Sequence, residues 1–246
     1  MLLYPNAKIN LGLNVIRKRP DGYHDIETLF YPVMDCRDIL EIVPADAFRM
    51  RVYNVPIEGE NLCEKAWNLM HAQYGVPPVE IGLYKQIPMG AGLGGGSSDA
   101  AFTLKGLDKL FDLNLPQEVL AGLAAQLGSD CAFFIYDAPM LARGRGEILS
   151  PLAFSLEGRR VRLYPQPVFV STREAYAGIT PRMPQHRIES VLKRPIEEWK
   201  DLLVNDFEET VFARHPELAA AKQALYEEGA VYAAMSGSGS ALFAIL

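Results

Sequence analysis

No two cysteines in this 246-residue chain are spaced for a metal site or a local disulfide. Cys36, Cys63 and Cys131 are scattered and odd in number, no CxxC pair occurs, and no Cys/His cluster has zinc spacing. Reduced thiols in a cytoplasmic protein are the simplest expectation. No apolar run approaches the ~18 residues of a membrane span. Met1 to Lys8 has no basic region ahead of an apolar core, so it does not read as a signal peptide. Repeats at solenoid spacing and low-complexity tracts are also missing. Positive charge is short: 24 Lys and Arg against 30 Asp and Glu leave a net charge of -6. That argues against a general nucleic-acid binder, but not against a nucleotide, whose phosphates local donors can hold. A composition of 49% hydrophobic and 22% charged residues remains, enough for an ordinary soluble core in one large domain or two small ones.

Glycine, by contrast, is concentrated. Residues 88–101 read Pro-Met-Gly-Ala-Gly-Leu-Gly-Gly-Gly-Ser-Ser-Asp-Ala-Ala, with five glycines from Gly90 to Gly96. Glycine is costly to fix, so a dense run belongs where backbone must approach something closely. Ser97, Ser98 and Asp99 then open an expected helix, with Ser97 or Ser98 as a suitable N-cap. A helix N-terminus directly behind such a loop favours an anion, most simply phosphate. Gly90, Gly92 and Gly95 satisfy G-x-G-x-x-G, but they follow antiparallel-looking strands and do not open a βαβ unit. No Lys-Ser/Thr follows, so this is not a Walker A loop. Neither His-Arg-Asp nor Asp-Phe-Gly occurs, so it is not a protein-kinase loop. The alternative is a flexible turn before a capped helix.

Around this run the pattern predicts an α+β protein. Ile9, Leu11, Leu13 and Val15 alternate with Lys8, Asn10, Gly12 and Asn14, which reads as a strand with one apolar and one polar face. Pro20-Asp21-Gly22 gives a turn, and strands follow at 26–33, 39–43, 48–52 and 80–87. Helices are expected at 62–74, from about Ser98, behind Pro116 up to Gly128, at 196–212 and at 216–228. Residues 131–136 read as a buried strand or short helix, 162–172 as a strand, and 231–246 as two strands around Ser236-Gly237-Ser238-Gly239-Ser240. A boundary is placed near residue 139, dividing the chain into 1–139 and 140–246.

The glycine-serine run resembles the second motif of the galactokinase, homoserine kinase, mevalonate kinase and phosphomevalonate kinase superfamily. Pro5-Asn6-Ala7-Lys8-Ile9-Asn10-Leu11 and Arg19-Pro20-Asp21-Gly22-Tyr23-His24 are similar to the opening of one family within it, the 4-diphosphocytidyl-2-C-methyl-D-erythritol kinases. Leu127-Gly128-Ser129-Asp130-Cys131-Ala132-Phe133-Phe134 resembles that family's catalytic-aspartate segment, and Ser236 to Ser240 the superfamily's third motif. The resemblance spans residues 5–245, specifically up to about 150 and loosely from 151 to 230. It implies a two-domain fold, with an N-terminal ATP-binding part like ribosomal protein S5 domain 2 and a C-terminal, ferredoxin-like substrate-side part. It implies transfer of the ATP γ-phosphoryl group to the 2-hydroxyl of a cytidine diphosphate-linked methylerythritol, with Mg²⁺, in the cleft between the parts.

Roles follow residue by residue. Asp130 is the expected general base, since a carboxylate can orient a tertiary alcohol and accept its proton; a cap or turn role is the alternative. Lys8 is expected to act on Asp130 or on the phosphoryl charge, against a solvated lysine on an edge strand. Pro88, Gly90, Gly92, Leu93, Gly94, Gly95, Gly96, Ser97 and Ser98 are expected around the ATP phosphates, with Ser97 reaching the metal. Asn61 and Lys85 resemble positions near the adenosine. Asn10, Tyr23, His24 and Tyr176 are implied on the substrate side, where an aromatic face can stack on a pyrimidine. Gly237 and Gly239 would let the tail approach the diphosphate, or form a plain hairpin turn. Cys131 reads as a buried apolar residue, Glu147 as a turn residue, and His71, His186 and His215 as surface residues. The partner is a small molecule, not nucleic acid or membrane, and the chain is expected as a monomer or weak homodimer. A homoserine- or mevalonate-type kinase, and a non-catalytic nucleotide-binding regulator, are the competing readings.

Overall fold

The computed structural model describes residues 1–56 and 59–246. In chain order the strands are β1 (Leu2–Leu3), β2 (Asn6–Lys18), β3 (His24–Arg37), β4 (Ile39–Pro44), β5 (Arg49–Val52), β6 (Val79–Tyr84), β7 (Met140–Gly144), β8 (Ile148–Pro151), β9 (Val161–Tyr164), β10 (Tyr232–Met235) and β11 (Leu242–Ile245). The helices are α1 (Leu62–Tyr74), α2 (Gly95–Leu110), α3 (Gln117–Leu127), α4 (Cys131–Tyr136), α5 (Thr172–Ala177), α6 (Ile188–Val191), α7 (Phe207–Arg214) and α8 (Pro216–Glu227).

Two compact units form. Met1–Ala7, Pro32–Pro88 and Gly94–Ala138 make the first; Lys8–Tyr31, Met89–Leu93 and Pro139–Leu246 make the second. A linear division near residue 139 therefore differs from the folded units. Pro139 opens the last segment of the second unit, yet Lys8–Tyr31 also belongs there, because β3 pairs antiparallel with β7 from Ile26 to Phe30.

In the first unit, a sheet of order β1-β4-β6-β5 carries helices α1 to α4. β5 runs parallel to β6, and the other pairs are antiparallel. Alternate residues Leu40, Ile42, Ile81 and Leu83 are buried, as are Ala100, Ala101, Leu104 and Leu107 of α2. Gly106 lets α2 sit close to the sheet: a Cβ there would fall 2.6 Å from Leu3 and 2.8 Å from Ile42. Asn61 caps α1, accepting the Cys63 N–H at 2.8 Å, and Gly75 ends it at φ 68°. The start of α2 differs from the expected serine cap. The N-cap is Gly94 at φ 72°, and Ser97 and Ser98 lie inside the first turn. A left-handed glycine turns the chain into the helix without a side-chain cap. Pro116 likewise takes the N-cap position of α3, and 131–136 resolves to a short helix, α4.

The second unit holds the sheets β2-β3-β7-β8 and β10-β11-β9. Its core joins Leu13 and Val15 of β2 with Val170, Phe207, Val211, Leu218, Leu225, Met235 and Leu242. Both faces of β2 are buried from Asn6 to Val15, so its polar face is an internal one. Two sequence expectations are corrected here. The strand expected at 162–172 stops at Tyr164, because Pro165 and Pro167 cannot donate to a ladder, and Ser171 then caps α5. The helix expected at 196–212 is a 3₁₀ turn at Ile196–Asp201 and the separate α7. Between them the backbone bonds sideways to β2: the Leu13 N–H donates to Val204 O at 2.8 Å and the Asp206 N–H to Leu13 O at 2.8 Å.

Candidate active site

The second unit holds the expected substrate-side residues in two groups, at opposite ends of β2. Gly92 has φ 77°, and a Cβ there would overlap the Ser236 carbonyl oxygen, so only glycine fits. The Ser236 hydroxyl donates to Gly92 O at 2.9 Å, and the Ala241 N–H to Ala91 O at 3.2 Å. The glycine run and the tail turn are thus bonded to each other. Lys8 donates its N–H to Leu93 O at 3.0 Å and its ammonium to Asn10 Oδ1 at 2.6 Å. Asn10 in turn donates to Thr28 Oγ1 at 3.0 Å. Lys8 is 3% exposed and its ammonium sits 5.0 Å from the Phe30 ring centroid, which rules out a solvated edge lysine. A Cβ on Gly237 would lie 3.4 Å from Asn10 Oδ1, so the turn faces this polar face of β2.

Among the described residues, no protein acceptor takes the N–H of Gly237, Ser238 or Ser240, although Gly237 and Ser240 are buried. Buried backbone donors are nearly always paired. These N–H groups, in a turn whose glycines have φ 55° and 90°, are suited to an anion, while the intervening Gly239 N–H donates to Ser236 O at 3.0 Å.

At the other end of β2, His24 stacks on Tyr176 with centroids 4.7 Å apart, and Tyr176 meets Phe207 edge-on at 4.7 Å. Burial, with Lys18 nearby, holds the His24 imidazolium below its usual pKa. Tyr23 is 57% exposed, with the Arg145 guanidinium 4.9 Å from its ring centroid. Glu147 is a turn residue that accepts the Arg145 N–H.

The first unit holds Gly94, Gly95, Gly96, Ser97 and Ser98 at the start of α2, with Pro88 at the end of the preceding segment. Asp130 is half-buried at the N-cap position of α4, and its carboxylate makes no capping bond. Ser97 lies beside this turn: a Cβ on Gly128 would be 4.0 Å from Ser97 Oγ and 3.2 Å from Cys131 Sγ. Burial pushes the Cys131 thiol up to about 11, as befits an apolar filler and not a nucleophile.

Asn61 and Lys85 are engaged otherwise than as free nucleotide contacts. Asn61 caps α1. Lys85, 6% exposed, is ion-paired with Asp38 and, at 2.6 Å, with Asp99. Asp38 also accepts the Ile87 N–H at 2.8 Å. A Cβ on Gly95 would be 3.2 Å from Lys85 Nζ, so this buried cluster underlies the first turn of α2. Burial drives the Asp99 carboxyl up to about 7, beyond what Lys85 pulls back. Burial opposes the Lys85 charge as well, but the two carboxylates outweigh it and hold its pKa above the ordinary value. Asp99 Oδ1 and Ser98 Oγ are buried without a partner among the described residues. Two histidines read as plain surface residues have partners: His71 bonds Val76 O at 2.8 Å and His215 bonds Glu174 at 3.2 Å.

Sequence reasoning missed Asp38, Asp99, Phe169 and Asn205. Phe169, 72% exposed, lies over Gly90, where a Cβ would come within 2.8 Å of its ring. Asn205 had a usable signal, since Asn-Asp inside an expected helix is a poor interior pair. Among the described residues, no group of three His, Cys, Asp or Glu could hold a metal, and no helix is long and apolar enough to cross a membrane.

Comparison with known proteins matches residues 61–138 to the GHMP kinases N terminal domain and 188–246 to the GHMP kinases C terminal. A Bacteroides thetaiotaomicron protein named 4-diphosphocytidyl-2-C-methyl-D-erythritol kinase is 51% identical, covering 100% of this chain and 92% of its own. A Cytophaga hutchinsonii protein of the same name is 47% identical with the same coverage. The crystal structure of a 4-(cytidine 5'-diphospho)-2C-methyl-D-erythritol kinase superposes with a TM-score of 0.87 at 35% identity, covering 100% of this chain and 90% of that one. The mevalonate kinase of Methanococcus jannaschii shares the fold at a TM-score of 0.70 but only 14% identity, with coverage of 100% and 90%.

Proposed function

The chain belongs to the 4-diphosphocytidyl-2-C-methyl-D-erythritol kinase family of the GHMP kinases, and we propose from that premise that it phosphorylates the 2-hydroxyl of 4-diphosphocytidyl-2-C-methyl-D-erythritol with ATP. The observation that carries this reading is the bonded junction of Gly92 with Ser236, next to Lys8 and Asn10. A phosphate-cradling run and a second anion-accepting turn meet there in one unit, as a donor and an acceptor that both carry phosphates require.

Asp130 is assigned as the base. Its carboxylate takes the acceptor's hydroxyl proton as the oxygen bonds to the γ-phosphorus and the bond to the ADP oxygen breaks. Lys8 is assigned to stabilise the charge of the transferring group from a dry position, where such an interaction is strong. Gly90, Gly92, Leu93 and Gly94 to Ser98 are assigned to the ATP phosphates, and the N–H groups of Gly237, Ser238 and Ser240 to the acceptor's diphosphate. Tyr23, His24 and Tyr176 are assigned to the cytosine. Asn61 and Lys85 take supporting roles beneath the nucleotide. Mg²⁺ supplies neutralisation of phosphate charge when bound. The donor set fits an ion held mainly by the phosphates, since the described residues offer no carboxylate cluster that could hold it: Ser97 is partly exposed at the first turn of α2 and is assigned to the ion, whereas Ser98 is fully buried. The first unit is read as mainly the ATP-binding part and the second, which includes Lys8–Tyr31, as mainly the substrate-side part of a cytoplasmic enzyme with no nucleic-acid partner.

An acceptor panel tests the reading. With ATP and Mg²⁺ fixed, 4-diphosphocytidyl-2-C-methyl-D-erythritol should give a kcat/KM at least ~1,000-fold above mevalonate or homoserine. Comparable turnover of all three, or none with any, contradicts it.

A further inference from the structure

We propose that Asn205 is a positioning residue that sets the Ser236–Ser240 turn to receive the acceptor's diphosphate, a role that rests on the acceptor proposed above. Asn205 is 3% exposed and sits where the expected helix breaks. Its amide donates to Met235 O at 2.8 Å and to Gly237 O at 2.9 Å, and its carbonyl accepts the Phe207 N–H at 3.0 Å. Its neighbours are fixed as well. Val204 and Asp206 bond to Leu13, and Asp206 Oδ2 accepts the Val15 N–H at 2.7 Å. The Asn205 side chain therefore holds the tail turn from a segment whose backbone, at Val204 and Asp206, is bonded to β2.

The consequence follows from peptide geometry. A trans peptide points its N–H opposite to its C=O. By drawing the Gly237 carbonyl towards itself, Asn205 turns the Ser238 N–H away from itself. The Met235 carbonyl is held in the same way, while the next N–H, of Ser236, is consumed by Ala241 O. Of the donors left without a protein acceptor, that of Ser238 belongs to a peptide Asn205 grips, and those of Gly237 and Ser240 lie in the same turn. An anion with several acceptor oxygens matches three such donors. The amide is also the right chemistry: a carboxylate here would face two carbonyl oxygens and add negative charge behind an anion site.

The test compares CDP with cytidine, which differ only in the diphosphate. Both are titrated calorimetrically into the full chain, wild type, Asn205→Asp and Asn205→Ser. Wild type should bind CDP at least ~10-fold more tightly than cytidine, and Asn205→Asp should bring that ratio to within about 3-fold while cytidine affinity moves less than about 2-fold. Asn205→Ser, which keeps one donor, should fall between. An unchanged ratio in both variants overturns the proposal. So does equal loss of both ligands, which a purely structural residue or an unfolded variant would give. If wild type binds neither ligand, the acceptor reading itself fails.

Discussion

An aspartate that opens a helix ordinarily spends its carboxylate on the free N–H groups of the first turn. Asp130 makes no such capping bond, and its turn lies beside Gly128 and Ser97. Asp130→Asn should therefore lower kcat by at least ~100-fold with little change in ATP-analogue affinity, and undiminished turnover would remove it as the base. Asp99 is a different kind of acid, buried against Lys85 with Asp38, Cys36 and Cys63 around it. Its folded pKa, about 7, lies above the ordinary 3.8. An acid held so stabilises the fold fully below its unfolded pKa, and that contribution is lost as pH rises through 7. Wild type should lose urea resistance relative to Asp99→Asn between pH 5 and pH 8, and parallel curves for the two would refute the burial argument. The position of Asp130 could be picked out as a candidate because a helix stop and an apolar run bracket it in the chain. The Asp38–Lys85–Asp99 cluster was not, because its members lie 47 and 14 residues apart and only folding joins them.

At the scale of elements, local chemistry was readable where it acts locally. Asn61 and Gly75 delimit α1, Gly128 ends α3, and the tail strands flank their glycine-serine turn as expected. Failures came where a distant partner outbid local preference. The 196–212 helix breaks because β2 takes the backbone of Val204 and Asp206, and the polar face of β2 is buried with Lys8 bonded to Asn10 and Asn10 to Thr28. The junction of glycine run and tail turn gives the sharpest prediction. Gly92→Ala combines a backbone conformation unfavourable to alanine with a clash against Ser236, costing at least ~1 kcal/mol. It should raise KM for ATP at least ~10-fold, whereas Gly122→Ala, at an open helical position, should leave it unchanged. Equal KM values in both variants would exclude a tight junction at Gly92.

At the scale of the whole molecule, the chain interleaves its two units, with the glycine run itself divided between them after Leu93. That division could not be read linearly, because β2 and β3 cross from one unit to the other within single strands. Family membership, with 92% of the Bacteroides thetaiotaomicron relative covered, fixes the class of enzyme, and a net charge of -6 is no obstacle, since local donors can hold phosphates on an acidic protein. The most direct measurement is phosphorus and carbon NMR of the product formed from ATP and 4-diphosphocytidyl-2-C-methyl-D-erythritol. A new phosphomonoester on the oxygen of C2, formed at the same rate as ADP, is the expected result. ADP release without that ester, or a phosphate on any other oxygen, would contradict the assignment.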